Sequence, residues 1–359
     1  MNAAGFFNVK VLAGALALGA ALCVAGPAAA QDRYAAIVMD ARTNEVLHED
    51  MADEARFPAS LTKMMTLYMI FEALERGDIT MDTRWTASRN AARQPPSRLG
   101  LGCTRRRGCD SITVEQAIRA LVVQSANDVA VLTAERLGGT EARFAANMTA
   151  RARELGLTNT RFANASGLPD ARHRTTARDM AILSQALWND FPEYYHYFST
   201  PNFSWRRAAG RNHNRLLGQV EGVDGIKTGY TRASGFNLAT MTERGGRRVI
   251  VVVLGGETAA ARDAQVAYLI EGAYQEYARR ADPNAAQFAR LPTNRLELAP
   301  GTLTASGTAQ GASPASPYST YQGMVVETLS PVRVPIPPVG QGDEGPGEGE
   351  EGEAATAEE

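Results

Sequence analysis

The chain has 359 residues, 44% hydrophobic and 21% charged, with a formal net charge of −2. That is enough apolar chain for a sizeable core and too much for one minimal domain. The charge is uneven: residues 341–359 hold eight acids and no Lys or Arg, residues 1–30 hold only Lys10, and residues 31–340 carry 36 basic against 31 acidic residues, a net of +5 that is too small to argue for nucleic acid.

Residues 1–30 read as an export signal. Lys10 is followed by an apolar run, Val11 to Ala25, and by Ala28-Ala29-Ala30 as a small-residue cleavage pattern. The run is short for a membrane span, although an uncleaved anchor is the alternative. Cys23 follows the large Leu22 and is read as part of the signal rather than a lipid-attachment site.

Tyr34 to Met51 predicts a hairpin with turn chemistry at Asp40 to Asn44. Ser60 to Arg76 predicts a helix, preceded by Pro58 and ended by Gly77. Cys103 and Cys109 bracket three arginines. In an oxidising exported setting a disulfide between them is expected; the alternatives are two free thiols or, with no histidine nearby, a less favoured metal pair. The four histidines show no zinc spacing, so no metal or cofactor is expected. Helices are predicted over 113–123 and 128–137, with Ser125-Ala126-Asn127 in the tight join, and again over 140–155 and 176–188. Strands over 225–230, 235–242 and 247–254 read as antiparallel neighbours, and a last helix runs from about 260 to 280. Hairpin, helical block, strands and helix in that order predict an α+β fold, an antiparallel sheet packed by helices. Beyond Pro283 the pattern fades. Val325-Val326 and Val332-Arg333-Val334 read as strands of a small remnant segment, and the Gly/Glu-rich stretch from 340 has too little apolar surface to order itself.

Three short motifs carry chemistry. In Ser60-Leu61-Thr62-Lys63 the serine stands at a helix start and the lysine one turn on, on the same face. A lysine kept from water and near other cations has a lowered pKa and can accept the serine proton. Taken alone, the pattern also fits a helix cap followed by a surface lysine. Ser125 and Asn127 can relay a proton and orient substrate, or simply cap a turn. Lys227-Thr228-Gly229 on a strand can add positive charge, donate to a carboxylate and let an extended peptide approach; a solvated strand edge would look similar.

Together, in this order, the motifs resemble those of the D-alanyl-D-alanine carboxypeptidase family of low-molecular-mass penicillin-binding proteins. The resemblance extends through Pro58 to Thr66, Ser125 to Asp128, Phe162 to Leu168, Thr176 to Met180, Asn212 to Leu217 and Asp224 to Thr231, covering roughly 32–280. It implies a β-lactamase/transpeptidase-like fold, about five antiparallel strands with helices on both faces. The implied organisation is a signal peptide at 1–30, a catalytic domain at 31–282, a low-complexity linker or remnant β segment at 283–339 and an acidic tail at 340–359. It implies a serine enzyme that removes the terminal D-alanine from peptidoglycan stem peptides and is acylated by penicillins, with no cofactor, in the periplasm or cell envelope. Ser60 would be nucleophile, Lys63 the base and Ser125 the relay. Asn127 would hold the substrate amide and Lys63; Ser60 and Tyr230 would supply oxyanion N–H groups; and Lys227, Thr228 and Arg262 would receive the carboxylate beside Gly229. Arg262 is placed only by its position after the 247–254 strand; an ordinary surface arginine is the alternative.

Two departures stand out. The Cys103–Cys109 loop is longer than the family's usual turn; its arginines read as a contact for anionic envelope polymer or, more simply, as a solvated loop. The acidic tail lacks the apolar face of the family's membrane-binding helix, so the sequence leaves membrane association open. Three alternatives stand beside this reading: a DD-endopeptidase using the same chemistry, a class A-like β-lactamase sharing the fold and two motifs, and a non-catalytic wall-binding protein, which would be expected to lack at least one of the catalytic groups present here. The β-lactamase would need a carboxylate for deacylation, and residues 161–178 offer only Asp170.

Overall fold

Alternating and continuous apolar runs resolve into a central sheet in the computed structural model, which describes residues 33–281. The expected signal, the 283–339 segment and the acidic tail lie outside the described residues. In chain order come β1 (Ala35–Asp40), β2 (Val46–Asp50), α1 (Thr62–Glu75), β3 (Arg84–Thr86), β4 (Cys103–Thr104), β5 (Gly108–Cys109), β6 (Ser111–Thr113), α2 (Val114–Val123), α3 (Asn127–Gly138), α4 (Glu141–Glu154), α5 (Ala177–Asp190), α6 (Pro192–Tyr195), β7 (Asn202–Trp205), β8 (Ala208–Arg211), β9 (Val223–Thr231), β10 (Gly235–Arg244), β11 (Arg247–Gly256) and α7 (Ala259–Ala281).

The five-stranded sheet has the order β2-β1-β11-β10-β9, antiparallel throughout. β1 and β11 are apolar on both faces because helices cover both. Ile37, Met39, Ile250, Val252 and Leu254 face the block of α1, α2, α3 and α5. Ala36, Val38, Val249, Val251 and Val253 face Val266, Leu269, Ile270 and Tyr277 of α7. The fold is therefore the α+β, helix-covered antiparallel sheet that the sequence predicts.

Helix starts are written locally. Thr113 and Gln116 form a reciprocal capping box on α2, and the Thr140 and Thr176 side chains accept from the third backbone N–H of α4 and α5. α1 is buried on nearly every side, as Met64, Met65, Leu67, Ile70 and Phe71 are all sealed from solvent. Each such side chain contributes about 1.5–3 kcal/mol by burial, which offsets the cost of a lysine in the same helix.

The α1 expectation began at Ser60, but regular helix starts at Thr62 after a 3₁₀ turn over Ala59–Leu61. Sequence reading also missed the β7–β8 hairpin, whose turn residues are Arg206-Arg207 instead of the usual Gly or Asn. The short β3–β6 pair was missed too, being only three residues long.

Candidate active site

Ser60 sits on the 3₁₀ turn ahead of α1, and several groups fix that turn. Asn237 of β10, fully buried, donates through Nδ2 to the carbonyls of Phe57 (3.0 Å) and Pro58 (3.1 Å), while its Oδ1 accepts from Gly255 N (2.9 Å). Ala59 has φ +48°, and its carbonyl lies so near Gly167 that an added Cβ there would stand 1.8 Å away. Only glycine fits at 167, where φ is +83°.

Lys63 is entirely buried in α1. Its Nζ lies 3.0 Å from Ser60 Oγ, 2.8 Å from Asn127 Oδ1 and 2.6 Å from the carbonyl of Ser166. Asn127 Nδ2 donates to the Pro95 carbonyl (3.1 Å), which directs Oδ1 to the lysine. The Ser166 carbonyl is presented by a turn in which Asn164 Oδ1 accepts from Gly167 N (2.7 Å), while Thr66 Oγ1 donates to the neighbouring Ala165 carbonyl (2.7 Å). Burial holds the Lys63 pKa well below its ordinary value and the charge of Lys227 lowers it further, with Asp128 pulling the other way. The Asn127 and Ser166 oxygens can only accept, so they take two N–H groups. In the neutral amine the lone pair is left facing the Ser60 hydroxyl, which can donate.

The α2–α3 join carries Ser125 in the left-handed region, φ +54°. Its hydroxyl is buried and finds no hydrogen-bond partner among the described residues. The join is held from beneath by Asp128, whose carboxylate accepts from Leu99 N (2.9 Å), Gly100 N (2.8 Å), Leu101 N (3.0 Å) and Val129 N (3.0 Å). Asn127 N donates to the Ser97 carbonyl (2.7 Å), tying the same loop to the site.

The third motif lies on β9, the sheet edge beside Ser60. A Cβ at Gly229 would come within 3.0 Å of Ser60 N and 3.1 Å of the Pro58 carbonyl, so glycine permits this close approach. Lys227 is buried, not solvated, and its Nζ donates to the Thr228 carbonyl (2.9 Å). Burial, then the Arg262 charge, pulls its pKa down to about 7. Thr228 is mostly buried; Tyr230 is exposed and stacks on Phe236. Arg262 is no surface arginine, being 3% exposed. It donates from Nη1 to the carbonyl of Asn237 (2.5 Å), the residue paired with Gly229, and from Nε to Asp263 (2.7 Å).

Sequence reading missed Asn237, the Ser166 carbonyl and two histidines. His173 is buried, with Nε2 2.9 Å from Thr62 Oγ1 and Nδ1 without a partner among the described residues. Burial pulls its pKa down to about 4, so it is neutral at pH 7. It lines a cavity of about 220 Å³ with Phe57, Pro58, Gly167, Leu168 and Thr231, next to the Ser60 turn. His213 is exposed overall. Burial of its inner face, then the charges of Lys227, Lys63 and Arg262, hold its imidazole below the ordinary value. Only the motif's Asn212 and Asn214, hydrogen-bonded to the Pro201 and Gly225 carbonyls, hinted at that loop.

Lys63 is thus in direct contact with both Ser60 and Asn127, Gly229 abuts the Ser60 turn, Lys227 acts on Lys63 through charge and Arg262 acts on Lys227 in turn. Cys103 and Cys109 form the expected disulfide on the β4–β5 hairpin and make no contact with Lys63. Asp170 pairs with the adjacent Arg172, which holds its carboxyl well below the usual range. Among the described residues no group of three or more His, Cys, Asp or Glu is placed to hold a metal ion.

The family described as D-alanyl-D-alanine carboxypeptidase matches residues 24–258. The D-alanyl-D-alanine carboxypeptidase DacD of Salmonella typhimurium is 34% identical over 249 residues, 69% of this chain and 64% of its own length. DacF of Bacillus subtilis is 34% identical over 253 residues, again 64% of its length, so the chain spans just under two thirds of these relatives. Among solved structures, penicillin binding protein 5 from Haemophilus influenzae is similar with TM-score 0.63 and 31% identity, over 67% of this chain and 70% of that one. Penicillin-binding protein D2 from Listeria monocytogenes, in its ampicillin-bound form, gives TM-score 0.59 and 32% identity over 66% and 95%.

Proposed function

The chain belongs to the D-alanyl-D-alanine carboxypeptidase family, and from that premise we propose that it removes the terminal D-alanine from peptidoglycan stem peptides through an acyl-enzyme. The observation that carries the reading is the Lys63 amine, buried and held between two obligate acceptors with its remaining side toward Ser60 Oγ.

Ser60 Oγ attacks the carbonyl carbon between the two D-alanines while its proton passes to the Lys63 lone pair. The developing oxyanion lies between the backbone N–H groups of Ser60 and Tyr230. These come from the 3₁₀ turn and the β9 edge that the Gly229 contact brings together. The Ser125 hydroxyl, without a partner among the described residues, carries the proton from Lys63 to the leaving amine. The C–N bond then breaks, D-alanine departs and an ester remains on Ser60. Water attacks the ester, with Lys63 as base, and restores the serine. Lys227 and Thr228 receive the substrate's terminal carboxylate; Arg262, with Nε and Nη1 engaged, contributes its charge from behind. A penicillin enters by the same attack on its lactam carbonyl. This work belongs in the cell envelope, in keeping with the signal read at residues 1–30. No helix among the described residues is long and apolar enough to cross a membrane.

Labelling with a fluorescent penicillin tests the nucleophile: the native chain is expected to label and Ser60→Ala to remain dark. Equal labelling of both removes Ser60 from the role. Digestion of purified sacculi tests the activity: free D-alanine is expected, whereas monomers released from cross-linked dimers, without D-alanine, would replace this reading with an endopeptidase.

A further inference from the structure

Two hairpins carry positive charge that the chemistry above does not use. The β4–β5 turn presents Arg105, Arg106 and Arg107, all exposed. The β7–β8 turn presents Arg206 and Arg207, with Arg211 at the end of β8, also exposed. The hairpins are clipped together: Arg206 Nη1 donates to Asp110 Oδ1 (2.5 Å), and Asp110 Oδ2 accepts from Gly102 N (2.7 Å). Arg206 also lies over the Trp205 ring, 4.5 Å from its centroid. Among the described residues the other five arginines have no ion-pair partner.

The two hairpins flank the second motif. Gln124, immediately before Ser125, donates to the Phe203 carbonyl (3.4 Å), and a Cβ on Gly210 would come 2.8 Å from its Cγ. On the other side Leu99 to Leu101, which lead into β4, hang on the Asp128 carboxylate. The arginines therefore lie on the two hairpins that flank Ser125, at the rim of the Ser60–Lys63 site.

We propose that this rim docks the anionic polymer surrounding the reacting stem: the neighbouring peptidoglycan stem peptides, recognised through their free carboxylates. The proposal rests on the carboxypeptidase reading. Guanidinium groups pair with carboxylates through two parallel hydrogen bonds, and the five unpaired ones on two clipped hairpins match a ligand that repeats its charge. The place of the rim favours a ligand that the Ser60–Lys63 site also holds. The chain's own eight acids between 343 and 359 are the rival occupant.

The test compares the full chain with the variant R105Q/R106Q/R107Q/R207Q, which leaves the Arg206–Asp110 clip intact. At low ionic strength kcat/KM on sacculi is expected to fall about tenfold, through loss of electrostatic attraction. On a free pentapeptide, and in penicillin acylation, the change stays within about twofold, and the sacculus effect vanishes near ~0.5 M salt. Equal rates on sacculi overturn the proposal, as does an equal loss on both substrates. In a parallel pair the eight acids are changed to Gln or Asn. Should the arginine substitutions be silent in the native chain and act only after this neutralisation, the acidic segment holds the rim and the proposal fails. Absence of D-alanine release from either substrate, with Ser60 still labelled by penicillin, would sink the activity reading instead. Sedimentation of the full chain with sacculi would then judge the rim, a salt-sensitive loss in the variant supporting it and unchanged binding overturning it.

Discussion

Gly167→Ala isolates the contact that seats the Ser60 turn. The new methyl would stand 1.8 Å from the Ala59 carbonyl oxygen and 2.4 Å from its carbon, well inside the 3.4 Å at which ordinary contact begins. Both neighbours are backbone, so neither can rotate away, and Ala59 or the Ser166–Gly167 turn must move by about an ångström. Either shift separates Lys63 Nζ from one of its partners, Ser60 Oγ or the Ser166 carbonyl. A misplacement of that size costs on the order of 10²-fold in rate. The left-handed backbone adds about 1 kcal/mol of strain for alanine. Gly156→Ala is the matched control: φ there is +88°, yet a Cβ would meet nothing within 4 Å. The assay is the second-order rate of penicillin acylation, paired with a urea melt. Both variants should lose about 1 kcal/mol or more of stability, while only Gly167→Ala loses acylation. An acylation rate within threefold of native for Gly167→Ala would show that the contact does not hold the site.

Other expectations follow from the same geometry. Lys63→Ala should abolish acylation while melting stays cooperative; unchanged acylation at neutral pH would dismiss this lysine as base. Asp128→Asn replaces one acceptor oxygen by a donor opposite two backbone N–H groups, so stability should drop by about 3–5 kcal/mol in a urea melt. A loss under about 1 kcal/mol would contradict that account of the loop. Lys227, with its pKa lowered to about 7, is charged below that pH and neutral above it. Its grip on a carboxylate must therefore weaken as pH rises, while Lys63 must lose its proton to act as base. A substrate with a free carboxylate should give a bell-shaped kcat/KM profile, and its amide only the acid limb; superimposable profiles would refute the assignment. Arg262→Gln, which removes a charge from behind Lys227, should move the basic limb to higher pH, and an unmoved limb would disconnect the two.

Much of this architecture was legible because short-range chemistry announces it. Thr113, Thr140 and Thr176 mark helix starts through their own side chains, and the Val249 to Leu254 run can only be a strand buried on both faces. Ser60 and Lys63 were readable together because a helical turn fixes their spacing. What escaped is what distant chain segments create. Asn237 looks like any polar residue in a strand until the Phe57 and Pro58 carbonyls arrive from 180 and 179 residues away. The Ser166 contribution is a backbone carbonyl, which no side-chain pattern can signal. The depth of Arg262 depends on the approach of β10 to α7, and the Arg206-Arg207 turn lacks the residues that normally advertise a hairpin.

The position of β9 at the margin of the sheet has a consequence for solubility. A free margin invites another chain to extend the sheet, and proteins commonly blunt it with inward-pointing charge or an obstructing segment. The first device is present: Lys227 of β9 is buried, while the Pro58 carbonyl and Ser60 amide lie against the face of the strand at Gly229. A buried charge at that strand disfavours pairing with a long apolar foreign strand. The lysine proposed to grip a carboxylate thus also guards against self-templated polymerisation.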